Sequence, residues 1–104
     1  MDITVQKLNE MRNSDDPHML LDVREDQEVA ICSIDGSTHI PMNEIPERLD
    51  ELPRDKTLVV MCHVGGRSFQ VTQWLLSNGF DNALNLEGGI AAWSQEIDRL
   101  VPTY

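Results

Sequence analysis

The most informative part of the sequence is the stretch Val59-Val60-Met61-Cys62-His63-Val64-Gly65-Gly66-Arg67-Ser68-Phe69. Its apolar start predicts a buried strand over 57–61, its two glycines predict a loop, and Arg67-Ser68 open a helical pattern. A strand, a short loop and a helix in this order aim several backbone N–H groups at one point. Cys62 stands there, facing the positive end of the helix dipole with the Arg67 guanidinium nearby, and both favour thiolate over thiol. We therefore predict a reactive sulfur anion at Cys62.

Length and charge limit the classes of function. The 104 residues, of which 40% are hydrophobic, suffice for a single domain over 1–104 with a modest core. A formal net charge of −10 argues against nucleic acid and anionic membranes as partners, so an anionic substrate needs a local positive site, for which the Cys62 loop is the candidate. No leader pattern and no apolar run of membrane-spanning length is seen, so we expect a cytoplasmic protein with both cysteines reduced.

Strand and helix patterns alternate along the chain. In order they predict a helix over 5–12 capped by Thr4, a strand over 19–23, a helix over 25–31, a strand over 38–41, a helix from Asn43 that buries Ile45, Leu49 and Leu52, a strand over 57–61, a helix over 68–78, a strand over 83–86 and a helix over 90–100. This alternation predicts a mainly parallel sheet covered on both faces. Ligands in such sheets bind beyond the carboxyl ends of the strands, so the Cys62 loop, 22–24 and 87–89 are expected to rim one pocket.

Four short motifs resemble the signatures of the rhodanese family and cover nearly the whole chain. They are Leu21-Asp22-Val23-Arg24 with Glu28; Ile34, Gly36, Ile40 and Pro41; the loop Cys62 to Ser68, in which four residues separate the cysteine from Arg67; and Leu86-Glu87-Gly88-Gly89-Ile90-Ala91-Ala92-Trp93. They occur in the family's order and at the predicted strand ends. The resemblance implies an α/β fold with three layers, α/β/α, around a central parallel five-stranded sheet.

The resemblance also implies a chemistry, namely sulfurtransfer without a cofactor or metal. Cys62 would take a sulfane sulfur from a small anionic donor, become a persulfide, and pass that sulfur to cyanide or a thiol. The residues implied to bind the persulfide and the donor are His63, Val64, Gly65, Gly66, Arg67 and Ser68, and those implied to support the loop are Asp22 and Arg24. A sulfur-relay protein is a further expected partner.

Two positions depart from the family's pattern. Cys32-Ser33-Ile34 stands where the family often has Gly-His-Ile, and His63 stands where many thiosulfate-using members carry a basic residue. Because an unperturbed histidine is mostly neutral at pH 7, the donor is left open among thiosulfate, a persulfide, a polysulfide and a protein.

Other interpretations of the same residues also stay open. Arg67 could form a structural ion pair instead of contacting an anion. A non-catalytic persulfide carrier or docking module is a second function, and a Cys-dependent phosphatase or arsenate reductase is a third, although related phosphatases have five residues between Cys and Arg. We expect Cys32 to be inert, His63 to be an exposed loop side chain, and Trp74 and Trp93 to pack in or over the core.

Overall fold

The computed structural model describes all 104 residues and contains five strands and four helices. The strands are β1 (Asp2–Ile3), β2 (His18–Asp22), β3 (Thr38–His39), β4 (Thr57–Met61) and β5 (Ala83–Leu86). The helices are α1 (Val5–Asn13), α2 (Asp26–Ile31), α3 (Gly66–Ser77) and α4 (Gly89–Glu96), and two 3₁₀ helices cover Met42–Glu47 and Leu49–Glu51. No helix combines the length and the apolar character needed to cross a membrane.

All five strands pair in parallel in the order β1-β5-β4-β2-β3. The predicted parallel five-stranded sheet is therefore confirmed. β4 is the central strand, pairing with β2 from Leu20↔Val59 to Asp22↔Met61 and with β5 at Val60↔Asn85. Since parallel strands end at the same edge, this register brings the residues after β2, β4 and β5 together around Cys62.

Apolar side chains fill both faces of the sheet. Along β4, Val59 and Met61 join the core beneath α1 and α4, whereas Leu58 and Val60 join the core beneath α3. This alternation follows from the period of two in a strand, and burial on both faces explains why β4 is apolar from Leu58 to Met61. Loss of a fully buried side chain such as Leu58 would cost about 2–5 kcal/mol.

The structure corrects several predicted boundaries. The helix predicted from Asn43 is two 3₁₀ helices, because Pro46 has no N–H to continue an α-helical ladder. The last helix ends at Glu96 rather than at residue 100, and the strand predicted over 38–41 stops at His39.

Trp93 is buried as expected, whereas Trp74 is 38% exposed. The Thr4 cap is confirmed, since its hydroxyl accepts the Lys7 N–H at 3.1 Å.

Candidate active site

Backbone contacts from α4 fix the loop that carries Cys62. The N–H groups of Ile90 and Ala91 donate to the carbonyls of Cys62 and His63, each at 3.0 Å. These donors belong to the first turn of α4, where backbone N–H groups have no partner within the helix. A Cβ at Gly89 would lie 2.4 Å from the Cys62 carbonyl oxygen, and the φ of Gly89 is +58°. Only glycine therefore permits this close approach, which places Gly89 directly against the loop.

The Cys62 sulfur accepts hydrogen bonds from the residues that follow it. The Gly65 N–H donates to Sγ at 3.1 Å, and the Ser68 Oγ lies 3.3 Å from Sγ. Gly65 can aim its N–H inward because its φ of +108° is in the left-handed region. α3 begins at Gly66, so these groups form the N-terminal end of a helix that points at the sulfur.

These contacts make the thiol more acidic. Burial alone would raise the pKa of Cys62, since the residue is 1% exposed. The Ser68 hydroxyl and the N–H groups of Ser68, Gly65 and Val64 lower it, and the net pKa lies below the ordinary value of a thiol. Uncharged donors in a nearly dry site therefore favour the thiolate form of Cys62.

Arg67 is engaged by a carboxylate. Its Nη1 and Nη2 donate to the two Glu28 carboxylate oxygens at 2.6 and 2.8 Å. The hydrogen bonds from Arg67 lower the pKa of Glu28 to about 2 against the opposing effect of burial. Of the two interpretations of Arg67, the structure shows the ion pair. Its guanidinium still acts on Cys62 through its charge, but both of its forked donors are occupied.

The other predicted loop residues take separate positions. The His63 ring stacks on Tyr104 with centroids 3.9 Å apart, Val64 is 62% exposed, and Gly66 starts α3. A cavity of about 260 Å³ lies beside them, lined by His63, Val64, Ile90, Ala91, Gln95, Pro102, Thr103 and Tyr104. Cys62 itself does not line this cavity.

Asp22 and Arg24 form the support behind the loop. Both side chains are fully buried, and the Arg24 Nη2 donates to the Asp22 carboxylate at 2.8 Å. Asp22 also accepts the Arg24 N–H at 3.1 Å, while Val23 donates to the Met61 carbonyl at 3.0 Å. Burial would lower the pKa of Arg24, but Asp22 and Tyr104 hold it above its ordinary value, so Arg24 stays charged. Asp22 and Arg24 therefore form a buried ion pair at the exit of β2.

Sequence reasoning did not include two residues of this region. Asn85 on β5 is buried, and its Oδ1 lies 2.6 Å from the Ser68 Oγ. A polar residue in the apolar strand Ala83–Leu86 was the available signal. The Tyr104 hydroxyl accepts from the Arg24 Nη1 at 3.0 Å and donates to Glu28 at 2.7 Å. No sequence pattern indicated that contact.

Cys32 lies apart from this loop at the C-terminal end of α2. Its carbonyl accepts from the Arg24 Nη2 at 2.8 Å, and its sulfur lies 3.9 Å from the Arg24 Nη1. Both cysteines are free. No group of three or more His, Cys, Asp and Glu side chains is arranged to hold a metal ion.

Comparison with known proteins gives a consistent result. A family model described as "Rhodanese-like domain" matches residues 4–96. A putative sulfurtransferase of Bacillus subtilis, YtwF, is 41% identical over 95 residues, covering 91% of this chain and 91% of its own. The chloroplastic rhodanese-like/PpiC domain-containing protein 12 of Arabidopsis thaliana is 38% identical over 99% of this chain, which spans only 37% of that relative.

A solved structure with the same architecture comes from human. The single-domain sulfurtransferase TSTD1 is 26% identical, covers 91% of this chain and 96% of its own, and superposes with a TM-score of 0.84.

Proposed function

The chain belongs to the rhodanese-like domain family of sulfurtransferases, and from that premise we propose that Cys62 carries a sulfane sulfur as a persulfide. The observation that supports this most is the cradle at the carboxyl end of β4, where the Gly65 N–H and the Ser68 hydroxyl meet the sulfur at 3.1 and 3.3 Å. A thiolate is the nucleophile that such a transfer needs.

The proposed reaction has two displacement steps. The Cys62 thiolate attacks the outer sulfur of a persulfide or thiosulfate, a new S–S bond forms, and the old S–S bond breaks to release a thiolate or sulfite. Cyanide or a thiolate then attacks the outer sulfur of the Cys62 persulfide, a new C–S or S–S bond forms, and the Cys62 S–S bond breaks. The sulfur leaves as thiocyanate or as a new persulfide, and the Cys62 thiolate is regenerated. Each step moves one electron pair and conserves charge, so no external oxidant or reductant is required.

The charges around the loop favour a monoanionic donor. The Arg67 charge is balanced by Glu28 and the Arg24 charge by Asp22. The positive potential at the sulfur therefore comes mainly from backbone N–H groups, which suit a single added sulfur anion. We propose an organic persulfide or polysulfide, whose sulfur chain carries one negative charge, as the preferred donor over the dianion thiosulfate, with the backbone of residues 63–68 as its binding surface.

A non-catalytic sulfur carrier is the second candidate. Val64 in the loop and Phe69 on α3 are 62% and 46% exposed. Exposed apolar side chains next to a nearly buried sulfur are suited to contact with another protein. A relay partner would then remove the sulfur on docking, and turnover with free cyanide would be slow.

Mass spectrometry after incubation with polysulfide or thiosulfate tests the persulfide. We expect the wild type and Cys32→Ala to gain one sulfur atom and Cys62→Ala to gain none. Thiocyanate release on adding cyanide then distinguishes the enzyme from the carrier. Full loading of Cys62→Ala would refute the proposal.

A phosphatase or arsenate reductase activity is the weakest alternative. Only four residues separate Cys62 from Arg67, and the Arg67 fork already holds a carboxylate. Robust turnover of an aryl phosphate or of arsenate would revive it.

The two free thiols further suggest a reducing compartment, and we propose the cytoplasm.

A further inference from the structure

Asn85 is a buried amide in a strand that is otherwise mostly apolar. It is 6% exposed and pairs with Val60, two residues before the reactive cysteine. A buried amide is costly unless it is hydrogen-bonded. The Asn85 side chain makes one hydrogen bond in the structure, to the Ser68 Oγ at 2.6 Å. The buried polar side chain therefore serves a hydroxyl that also contacts the Cys62 sulfur.

The Ser68 hydroxyl has one proton and two neighbours that compete for it. Its oxygen lies 2.6 Å from Asn85 and 3.3 Å from the Cys62 sulfur. When Cys62 is a thiol, S–H can donate to Ser68 and Ser68 can donate to the Asn85 carbonyl oxygen. When Cys62 is a thiolate, it has no proton to give, and Ser68 can hydrogen-bond to the sulfur only as the donor. Its oxygen can then only accept from Asn85, through the Asn85 NH₂ group.

The Asn85 amide is free to supply either end. Oxygen and nitrogen of an asparagine side chain are distinguished by their hydrogen bonds rather than by their positions. No hydrogen bond other than the one to Ser68 fixes which end of the Asn85 amide faces that residue. The triad of Cys62, Ser68 and Asn85 therefore has two arrangements in which the Ser68 hydroxyl is fully hydrogen-bonded. They differ by a rotation of the Asn85 side-chain amide.

We propose that Asn85 is a positioning residue that acts through Ser68, presenting its carbonyl oxygen when Cys62 is protonated and its NH₂ group when Cys62 is an anion. The proposal deepens the proposed function, since it rests on Cys62 working as a thiolate. The amide rotation keeps the Ser68 hydroxyl satisfied in both states, so the sulfur gains a full hydrogen bond on ionising without leaving a buried partner unpaired.

Charged and titratable groups around the loop come from six other parts of the fold. They are Arg67 on α3 with Glu28 on α2, the Asp22–Arg24 pair after β2, His63 in the loop, Glu87 after β5, and Tyr104 stacked on His63. None of them hydrogen-bonds to Asn85. A response that passes through Asn85 and Ser68 can therefore be separated from a direct effect of these groups.

A pH series of amide spectra on ¹⁵N-labelled protein tests the rotation without any sulfur donor. From pH about 5 to about 9.5, we expect the Asn85 side-chain signals to move with the midpoint of the ultraviolet absorbance of the Cys62 thiolate. Nuclear Overhauser effects from the Asn85 NH₂ to the Ser68 β protons should strengthen above that midpoint. The Asn82 amide, which donates to the carbonyls of Pro53 and Lys56, is the matched control and should stay fixed.

Substitution supplies the second arm. We expect Asn85→Leu to raise the midpoint pH of the Cys62 thiolate absorbance by about 0.5–1 unit. In a protein that already carries Ser68→Ala, adding Asn85→Leu should not raise that midpoint. Asn85 signals should stop responding to pH in Cys62→Ala. A purely structural role predicts Asn85 signals that ignore the thiolate, or an Asn85→Leu shift that persists without Ser68, and either result overturns the proposal. A thiol that does not ionise in this range also overturns it, whereas a titrating triad that takes up no sulfur refutes only the proposed function.

Discussion

Cys62 and Cys32 are two buried cysteines that each lie near an arginine, but the fold places them at opposite ends of helices. Cys62 precedes the N-terminus of α3, and its sulfur receives the Gly65 N–H and the Ser68 hydroxyl. Cys32 caps the C-terminus of α2, and its sulfur has only the 3.9 Å contact with Arg24. N-terminal helix ends favour anions and C-terminal ends favour cations.

The comparison shows that a nearby arginine does not distinguish the two sites. Arg24 is balanced by Asp22 and Arg67 by Glu28. What differs is the set of backbone and hydroxyl donors that converge on one sulfur and are missing at the other. Reactivity at Cys62 should therefore depend on the loop geometry first, on Ser68 second, and on the ion pairs last.

Gly89→Ala should have the largest effect, because it removes the geometry that distinguishes Cys62. The new Cβ would lie 2.4 Å from the Cys62 carbonyl oxygen and 2.5 Å from that of His63, at a φ of +58°. We expect a loss of about 2–4 kcal/mol in the free energy of unfolding and near-complete loss of persulfide loading. Gly36→Ala is the matched control, since its φ is +84° but nothing lies within 4 Å. Equal losses in both variants, measured by urea unfolding, would contradict the close approach.

Ser68→Ala should bring the chemistry of Cys62 closer to that of an ordinary thiol. Hydrogen bonds to charged groups contribute about 1.5–3 kcal/mol, which corresponds to about 1–2 pH units in the alkylation midpoint. Thr72→Val is the control, because the Thr72 hydroxyl is buried on the same helix but donates to the Ser68 carbonyl at 2.8 Å rather than to sulfur. An unchanged midpoint in Ser68→Ala would show that the backbone alone holds the anion.

Glu28→Gln should weaken the protein in a pH-dependent way while leaving the sulfur cradle in place. The folded pKa of Glu28, about 2, is below the ordinary value, so its contribution to stability is present above pH about 4 and is lost as pH falls toward 2. We expect the free energy of unfolding to fall by only about 1 kcal/mol at neutral pH, since Arg67 is partly exposed. Below pH about 4, the free energy of unfolding of Glu28→Gln should depend less on pH than that of the wild type.

The control for Glu28→Gln is Glu51→Gln. Glu51 pairs with Arg48 on the surface, where the Glu51 side chain is 46% exposed against 15% for Glu28. Urea unfolding at several pH values should show a smaller change for Glu51→Gln. If the free energy of unfolding of the two variants falls equally at acidic pH, the Arg67–Glu28 pair is no stronger than a surface pair.

Tyr104→Phe should have the smallest effect. It removes the hydroxyl that links Arg24 to Glu28 but keeps the ring that stacks on His63. We expect a loss of about 0.5–1.5 kcal/mol in stability and a change of less than about threefold in alkylation rate at Cys62. Tyr104→Ala, which also removes the stacked ring, should change both quantities more. A large effect of Tyr104→Phe on the rate would place the hydroxyl closer to the chemistry than its contacts indicate.

The sequence predicted the sheet and the strand, loop and helix around Cys62 well because both rest on local patterns. Residues 58–61 are apolar throughout, and the order of cysteine, glycines and Arg67 permits few other geometries. It could not distinguish an anion contact from an ion pair at Arg67, since Glu28 is 39 positions away in sequence. The role of Asn85 likewise depends on the register between β4 and β5, which is a tertiary feature. The predictions of helix ends were wrong in two places. Pro46 prevents an α-helix from forming over 42–47, and the last helix ends at Glu96.

The pH dependence of alkylation at the two cysteines, followed by peptide mass spectrometry on one sample, tests the thiolate at Cys62 most directly. We predict that Cys62 reacts with a midpoint well below the free-thiol pKa of about 8.5 and that Cys32 reacts slowly throughout. Equal rates at the two cysteines would contradict the account, as would a Cys62 midpoint at or above that of a free thiol. Either result would mean that the Ser68 hydroxyl and the N–H groups of Val64, Gly65 and Ser68 do not stabilise a Cys62 thiolate.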